Sequence, residues 1–191
     1  MTHPILKYFE EIQYLSPKEQ AAILNSLEES FIKKGTLLLH PNLSQASTYF
    51  VIKGCIRQYY LKDGVECTSN FYTENQWLIA PSHVKEYYWE ATEDTYLVVG
   101  NNSKAQALYA SFPQFQQVAQ QILEKVIEQQ QEWMAGFITN SAEERYQVII
   151  EKRPDLLQRV PQHQLASYIG VKPETLSRIR RRLTQNKKSK N

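Results

Sequence analysis

Glu174, Ser177 and Arg178 stand at i, i+3 and i+4 in the run PETLSRIRRRL, Pro173 to Leu183. On a helix that spacing gathers a carboxylate, a hydroxyl and a guanidinium on one face near the N-terminus. Such a trio can read the edges of base pairs. A guanidinium forks onto guanine O6 and N7, a carboxylate accepts from cytosine N4, and each good pair discriminates by about 1–3 kcal/mol. Arg180, Arg181, Arg182, Lys187 and Lys188 follow on the same segment and are placed for phosphates. The plain alternative is a structural helical hairpin with a solvated basic end.

Two short amphipathic helices and a turn must position this trio. Leu165, Ala166 and Ile169 give one apolar face, and Leu176, Ile179 and Leu183 give another at three- and four-residue spacing. Between them Gly170 supplies a left-handed backbone conformation that ends the first helix, and Val171 plugs the angle. Pro161 and Pro173 each sit where a helix starts, a position that needs no backbone donor. Charge separates this end from the rest. Lys172 to Asn191 holds eight basic residues against one acid, whereas the remaining chain holds fourteen against nineteen. The overall +2 therefore hides an acidic body with a basic tip suited to a polyanion.

The segment resembles the DNA-binding domain of the Crp/Fnr family of bacterial transcription regulators. Glu174-Thr175-Leu176-Ser177-Arg178 matches the E-x-x-S-R pattern of its Fnr branch. The resemblance implies that Glu174, Ser177 and Arg178 face the major groove, the arginine on guanine and the glutamate on cytosine. It implies double-stranded DNA and a second copy of the chain as partners, and RNA polymerase as a further one. KKGTLLLH and YFVIKGCIRQYYLKDG likewise resemble the K-x-G-x-x-L and Y-x-I-x-x-G-x-x-R stretches of the cyclic-nucleotide-binding β-roll.

The 191 residues suffice for one large domain or two small ones. No apolar run approaches the ~18 residues of a membrane span, and Met1 to Leu15 has neither a basic start nor a continuous apolar stretch. A cytoplasmic protein is expected. Cys55 and Cys67 flank a hairpin with Asp63-Gly64 at its tip, which puts the sulfurs about 16 Å apart, beyond bridging reach. Two cysteines also cannot hold an iron–sulfur cluster of the Fnr kind.

Along the chain, Ser16-Pro17-Lys18-Glu19 opens a helix predicted to run to Ser30. Strands are predicted at Thr36–Leu39, Thr48–Lys53, Cys55–Leu61, Val65–Tyr72 and Thr95–Val99, an antiparallel roll or barrel. A long helix follows from about Ser111 to Ile138. Leu108, Phe112, Phe115, Ala119, Ile122, Val126, Gln129, Trp133 and Gly136 recur at alternating four and three spacing, a seam expected to pair with a second copy. Leu123, Ile127 and Met134 are expected to pack on the chain's own roll. Asn140 to Glu144 reads as a hinge, Arg145 to Glu151 as a helix ended by Pro154. The fold class is thus α+β: a roll over 1–110, a dimerisation helix over 111–138 and a helix-turn-helix domain over 139–191. The family adds a β-hairpin wing after its recognition helix, but Gln185 onward carries no strand signal.

Nucleotide binding in the family uses a Gly-Glu pair opening a short helix and an Arg-Ser or Arg-Thr pair on the phosphate. With Trp77 and Ala91 aligned to the family's positions, Ile79-Ala80 replaces the first pair and Lys85-Glu86 the second. Ile79 blocks close backbone approach, Glu86 sets a negative charge beside the phosphate, and Lys85 lacks the bidentate fork. Cyclic AMP binding in the usual manner is not expected, and no cofactor is assigned. Arg57 and Lys53 read as pocket cations or as ordinary surface charges, and Tyr59, Tyr72, Tyr87, Tyr88 and Trp89 as an aromatic pocket or as core. The histidines at 3, 40, 83 and 163 lack the paired spacing of a metal site. No nucleophile motif, P-loop or dinucleotide fingerprint occurs, so no enzymatic activity is expected. A cupin-like metal oxygenase and a ligand-sensing module acting through protein contacts are the rival classes.

Overall fold

The structure, a computed structural model, describes residues 2–39, 48–79 and 87–188. Helix α1 (Pro4–Glu10) starts at His3, whose Nδ1 accepts from the Ile5 amide. Helix α2 (Pro17–Ser26) carries a full capping box: the Ser16 hydroxyl accepts from the Glu19 amide, and the Glu19 carboxylate accepts from the Ser16 amide at 2.8 Å. The expected helix stops four residues early. Leu27 turns extended, and β1 (Glu28–Ile32) pairs antiparallel with β8 from Glu28↔Val99 to Ile32↔Thr95. Tertiary pairing overrides local helix preference there.

The strands β2 (Leu37–Leu39), β3 (Thr48–Lys53), β4 (Ile56–Lys62), β5 (Val65–Tyr72), β6 (Trp77–Ile79), β7 (Tyr87–Ala91) and β8 (Thr95–Val99) complete two four-stranded sheets. Their orders are β1-β8-β3-β6 and β2-β7-β4-β5. Strand β3 is apolar on both faces because each face meets its own core. Phe50 packs with Ile5, Leu6, Ile23 and Val98 under the helices, and Val51 packs with Ile56, Tyr72, Leu78, Trp89 and Leu97 inside the roll. The β4–β5 hairpin turns on Asp63 and Gly64 at φ 52° and 75°, the paired positive values of a tight I′-type turn. Cys55 and Cys67 are free thiols.

The long helix begins later than its periodicity suggested. Helix α3 (Asn102–Ser111) ends before Pro113, and Phe112 is pushed to φ −139°, ψ 79°, since a residue before proline is barred from the helical region. Helix α4 (Gln114–Thr139) then runs unbroken. Phe115, Val118 and Ile122 are buried in the core formed with α1, α2, β3 and β8.

The described chain forms two compact units. One comprises 1–58 and 71–129; the other comprises 59–70 and 130–191. The division falls inside α4, between 129 and 130. In the second unit α5 (Ala142–Lys152), α6 (Leu156–Arg159), α7 (Gln162–Tyr168) and α8 (Pro173–Lys188) follow the end of α4. No described helix is long and apolar enough to cross a membrane.

Candidate functional site

The α7–α8 pair is built as its residues demand. Pro161 stands at the N-cap position of α7 without a side-chain capping bond, and Gly170 at φ 74° ends the helix. The Gly170 amide donates to Ser167 O at 3.0 Å and the Val171 amide to Ala166 O at 2.9 Å, the bond pair of a Schellman turn. A side chain at Gly170 would also have no room: its Cβ would lie 2.7 Å from the Phe137 ring. Leu165, Ala166, Ile169, Leu176 and Ile179 are buried between the elements. With the turn fixed and α8 clamped by its apolar face, the opposite face of α8 is left to solvent.

Glu174, Ser177 and Arg178 all lie on that exposed face. At 100° per residue, Glu174, Arg178 and Arg181 fall within about 60° of one another, with Ser177 beside them. Arg181, expected among the phosphate contacts, therefore shares the face of Glu174, Ser177 and Arg178 one turn further on. Arg178 Nη2 donates to Thr175 Oγ1 at 3.1 Å. Arg180 is exposed on a flank. Arg182 is held by Glu143 of α5 at 3.0 Å, but the arginine is 60 % exposed, and such surface pairs contribute only about 0–1 kcal/mol. Lys187 and Lys188 extend α8 as helix, not strand.

Further back, Ser141 and Glu144 form the capping box that starts α5. The Ser141 hydroxyl, then its amide, hold the Glu144 carboxyl below its ordinary range. Glu19 is lowered in the same way by the Ser16 hydroxyl, the Ser16 amide and Gln114. Arg145, on the first turns of α5, donates from Nε to Ile169 O at 2.9 Å and from Nη1 to Phe137 O at 3.0 Å and Asn140 O at 2.6 Å. Its guanidinium lies 4.5 Å from the Phe137 ring centre. Trp133 stacks on Tyr168 at 4.3 Å and 12°. Sequence reasoning missed Arg145, because no local pattern announces a backbone carbonyl 24 residues downstream. The hairpin tip also joins this unit: the Thr68 amide donates to Ser167 Oγ at 2.8 Å, which donates to Glu66 O at 3.3 Å.

The seam expected to face a second copy has another use. Phe115 and Ile122 are buried in the chain's own core and Trp133 is stacked on Tyr168, while Ala119 and Val126 are half-buried along the same side. Leu123, Ile127 and Met134, expected to pack on the roll, are instead 43 %, 45 % and 60 % exposed, and Ile138 is 77 % exposed. These four lie within about 60° of each other around α4. Both stripes satisfy helical periodicity, and periodicity alone does not say which one the roll covers.

In the roll, Tyr59, Tyr72, Tyr87 and Trp89 are buried and Tyr88 half-buried. Trp89 meets Tyr49, Tyr72 and Tyr87 at centroid distances of 5.9, 6.3 and 5.7 Å. Gln58 answers the polar atoms of this cluster: its Oε1 accepts from Tyr72 Oη at 2.9 Å and Trp89 Nε1 at 3.2 Å. By strand alternation Arg57 points to the other face of β4, where Glu90 lies 3.9 Å away, and it is 2 % exposed. Lys53 is exposed. Ile79 ends β6, half-buried and opposite Thr48. Ala80, Lys85, Glu86, His40 and His83 lie outside the described residues. His3 pairs with Glu29 at 3.2 Å, and His163 is exposed on α7.

No family model and no curated protein matches the chain. Solved structures do. FixK2 from Bradyrhizobium japonicum matches with a TM-score of 0.71 at 19% identity, over 84% of this chain and 85% of that one. A CooA mutant from Carboxydothermus hydrogenoformans matches with a TM-score of 0.66 at 18% identity, over 85% and 78%. A protein from Eubacterium rectale assigned to the Crp/Fnr regulators matches with a TM-score of 0.67 at 17% identity, over 94% and 88%. The fold is therefore that of the Crp/Fnr regulators, a β-roll followed by a helical domain.

Proposed function

We propose that this chain, which carries the Crp/Fnr fold, is a homodimeric transcription regulator that reads a two-fold symmetric DNA site through Glu174, Ser177 and Arg178. One observation carries the reading. A helix clamped by Leu176 and Ile179 presents a carboxylate, a hydroxyl and a guanidinium to solvent at its N-terminal end, on the basic tip of a chain whose remaining residues are net acidic. Arg181 continues that face, and Arg180, Arg182 and the lysines of α8 serve the phosphates. The contribution of phosphate contacts makes affinity fall steeply with salt.

The second copy docks on the Leu123, Ile127, Met134, Ile138 stripe of α4. What supports this is a row of exposed apolar side chains over four helical turns, self-complementary about a two-fold axis. Two reading helices about 34 Å apart require such a pairing. The roll does not take cyclic AMP in the family's manner: Ile79 closes a strand where a glycine would open a helix, and polar groups of the interior already bond to one another.

Selection of bound duplexes from a random pool tests the proposal. A symmetric site with G·C pairs at matching half-site positions, unchanged by micromolar cyclic AMP, is the expected result. Bound duplexes without sequence preference would refute it.

A further inference from the structure

The base-reading face is useful only if α8 is held at a set angle to the helix that joins the two copies. That geometry depends on the junction of three chain segments: the C-terminal end of α4, the start of α5 and the turn between α7 and α8. A helix C-terminus leaves carbonyls without intrahelical donors and carries the negative end of the helix dipole. Two such ends meet here, that of α4 at Phe137 and Asn140 and that of α7 at Ile169. Arg145 donates to all three carbonyls, with one cation placed between both negative ends.

Packing closes the same joint. The guanidinium lies over the Phe137 ring, and that ring fills the space a side chain at Gly170 would need. Trp133, one turn back on α4, stacks on Tyr168 beside the turn. The last turns of α4 fall in the same compact unit as the helix-turn-helix. Arginine suits this place because its planar fork presents five donors in fixed directions, whereas a lysine ammonium is a point charge on a flexible stem.

We infer that Arg145 is a positioning residue for DNA reading: it touches no base, and by joining the α7–α8 turn to the end of α4 it sets the distance and phase between the two reading helices of the dimer. This rests on the dimeric reading proposed above. It separates two properties that a simple loss of folding would remove together, namely base preference within a half-site and preference for one half-site spacing.

The test uses the full chain as wild type, Arg145→Ala and Arg145→Lys, with the selected operator, operators whose half-sites are moved by one or two base pairs, and a single half-site. Moving a half-site by one base pair displaces its base contacts by about 3.4 Å along the axis and turns them around it. Loss of one bidentate pair, about 1–3 kcal/mol, corresponds to roughly a 5- to 150-fold weaker binding of the displaced operators by wild type. Arg145→Ala should bind original and displaced operators within about twofold of each other, the scatter of independent contacts. Its affinity and base preference on a single half-site should match wild type. Arg145→Lys keeps the charge and should still lose most of the spacing preference. An unchanged spacing profile in both variants overturns the inference, as does equal loss of half-site binding and spacing preference in Arg145→Lys. If no symmetric operator emerges from selection, the proposed function fails instead.

Discussion

The roll and the α7–α8 head treat their polar side chains in opposite ways. In the roll, Gln58 is bonded to Tyr72 and Trp89, and Arg57 is buried beside Glu90. In the head, Glu174 and Ser177 make no side-chain hydrogen bond with any described residue, and Arg178 reaches only its neighbour Thr175. Burying a polar group without a partner costs about 1–3 kcal/mol, a cost that Gln58 removes for Tyr72 and Trp89. The exposed groups of the head remain hydrated and can exchange water for base edges at little cost. Polar residues in the roll thus serve internal architecture, whereas those on α8 stay at the surface, where the proposed reading needs them.

Helix α4 spans both kinds of environment and offers the sharpest way to break the contrast. Phe115→Ala empties a site in the roll core and should cost about 3–5 kcal/mol, read as a fall in denaturant midpoint. Ile127→Glu lies on the exposed stripe of the same helix. It should leave the roll's stability within about 0.5 kcal/mol of wild type while converting dimer to monomer in sedimentation. A stable Phe115→Ala dimer, or an Ile127→Glu that unfolds the roll, would reverse the assignment of the two stripes.

A smaller effect compares the two capping boxes. Ser141→Ala removes the cap of α5 and should cost about 1 kcal/mol, as should Ser16→Ala at α2. Glu144 and Glu19 both have carboxyl pKa values lowered in the fold, so their contribution is present above the ordinary value of 4.5 and is lost as pH falls through the lowered one. Stability followed by thermal melts should therefore decline on acidification below about pH 4.5, and the serine variants should show a shallower decline. An identical slope in wild type and variants would mean that the boxes do not form in solution.

Much of this arrangement was legible in residue patterns, where the signal is local. Asp63-Gly64 located the hairpin, Ser16-Pro17-Lys18-Glu19 a helix start, and Gly170-Val171 the turn of the head, because each needs a particular backbone conformation that few residues supply. Strands β6 and β7 are segments of three and five residues that no local pattern announces, and β1 overlaps the helix expected to run to Ser30 because only its pairing with β8 makes it a strand. Pro113 carried a break that the heptad pattern ran across. Which stripe of α4 the roll covers is not legible in the sequence for a physical reason: a seam at three- and four-residue spacing is apolar whether a second copy or the chain's own roll covers it, and it is Phe115, Val118 and Ile122 that the core buries. The role of Arg145 was out of reach, because its partners are backbone carbonyls and no side-chain pattern encodes them.

The central claim is that α8 reads base edges with Arg178. Competition binding at fixed salt, comparing wild type and Arg178→Ala on the selected operator and on an unrelated duplex of equal length, tests it most directly. The account predicts that the ratio of the two affinities falls by roughly 5- to 150-fold per half-site in the variant, the loss of about 1–3 kcal/mol of discrimination, while affinity for the unrelated duplex changes little. A variant that keeps the wild-type ratio and loses affinity equally on both duplexes would place Arg178 on the phosphates and contradict the account.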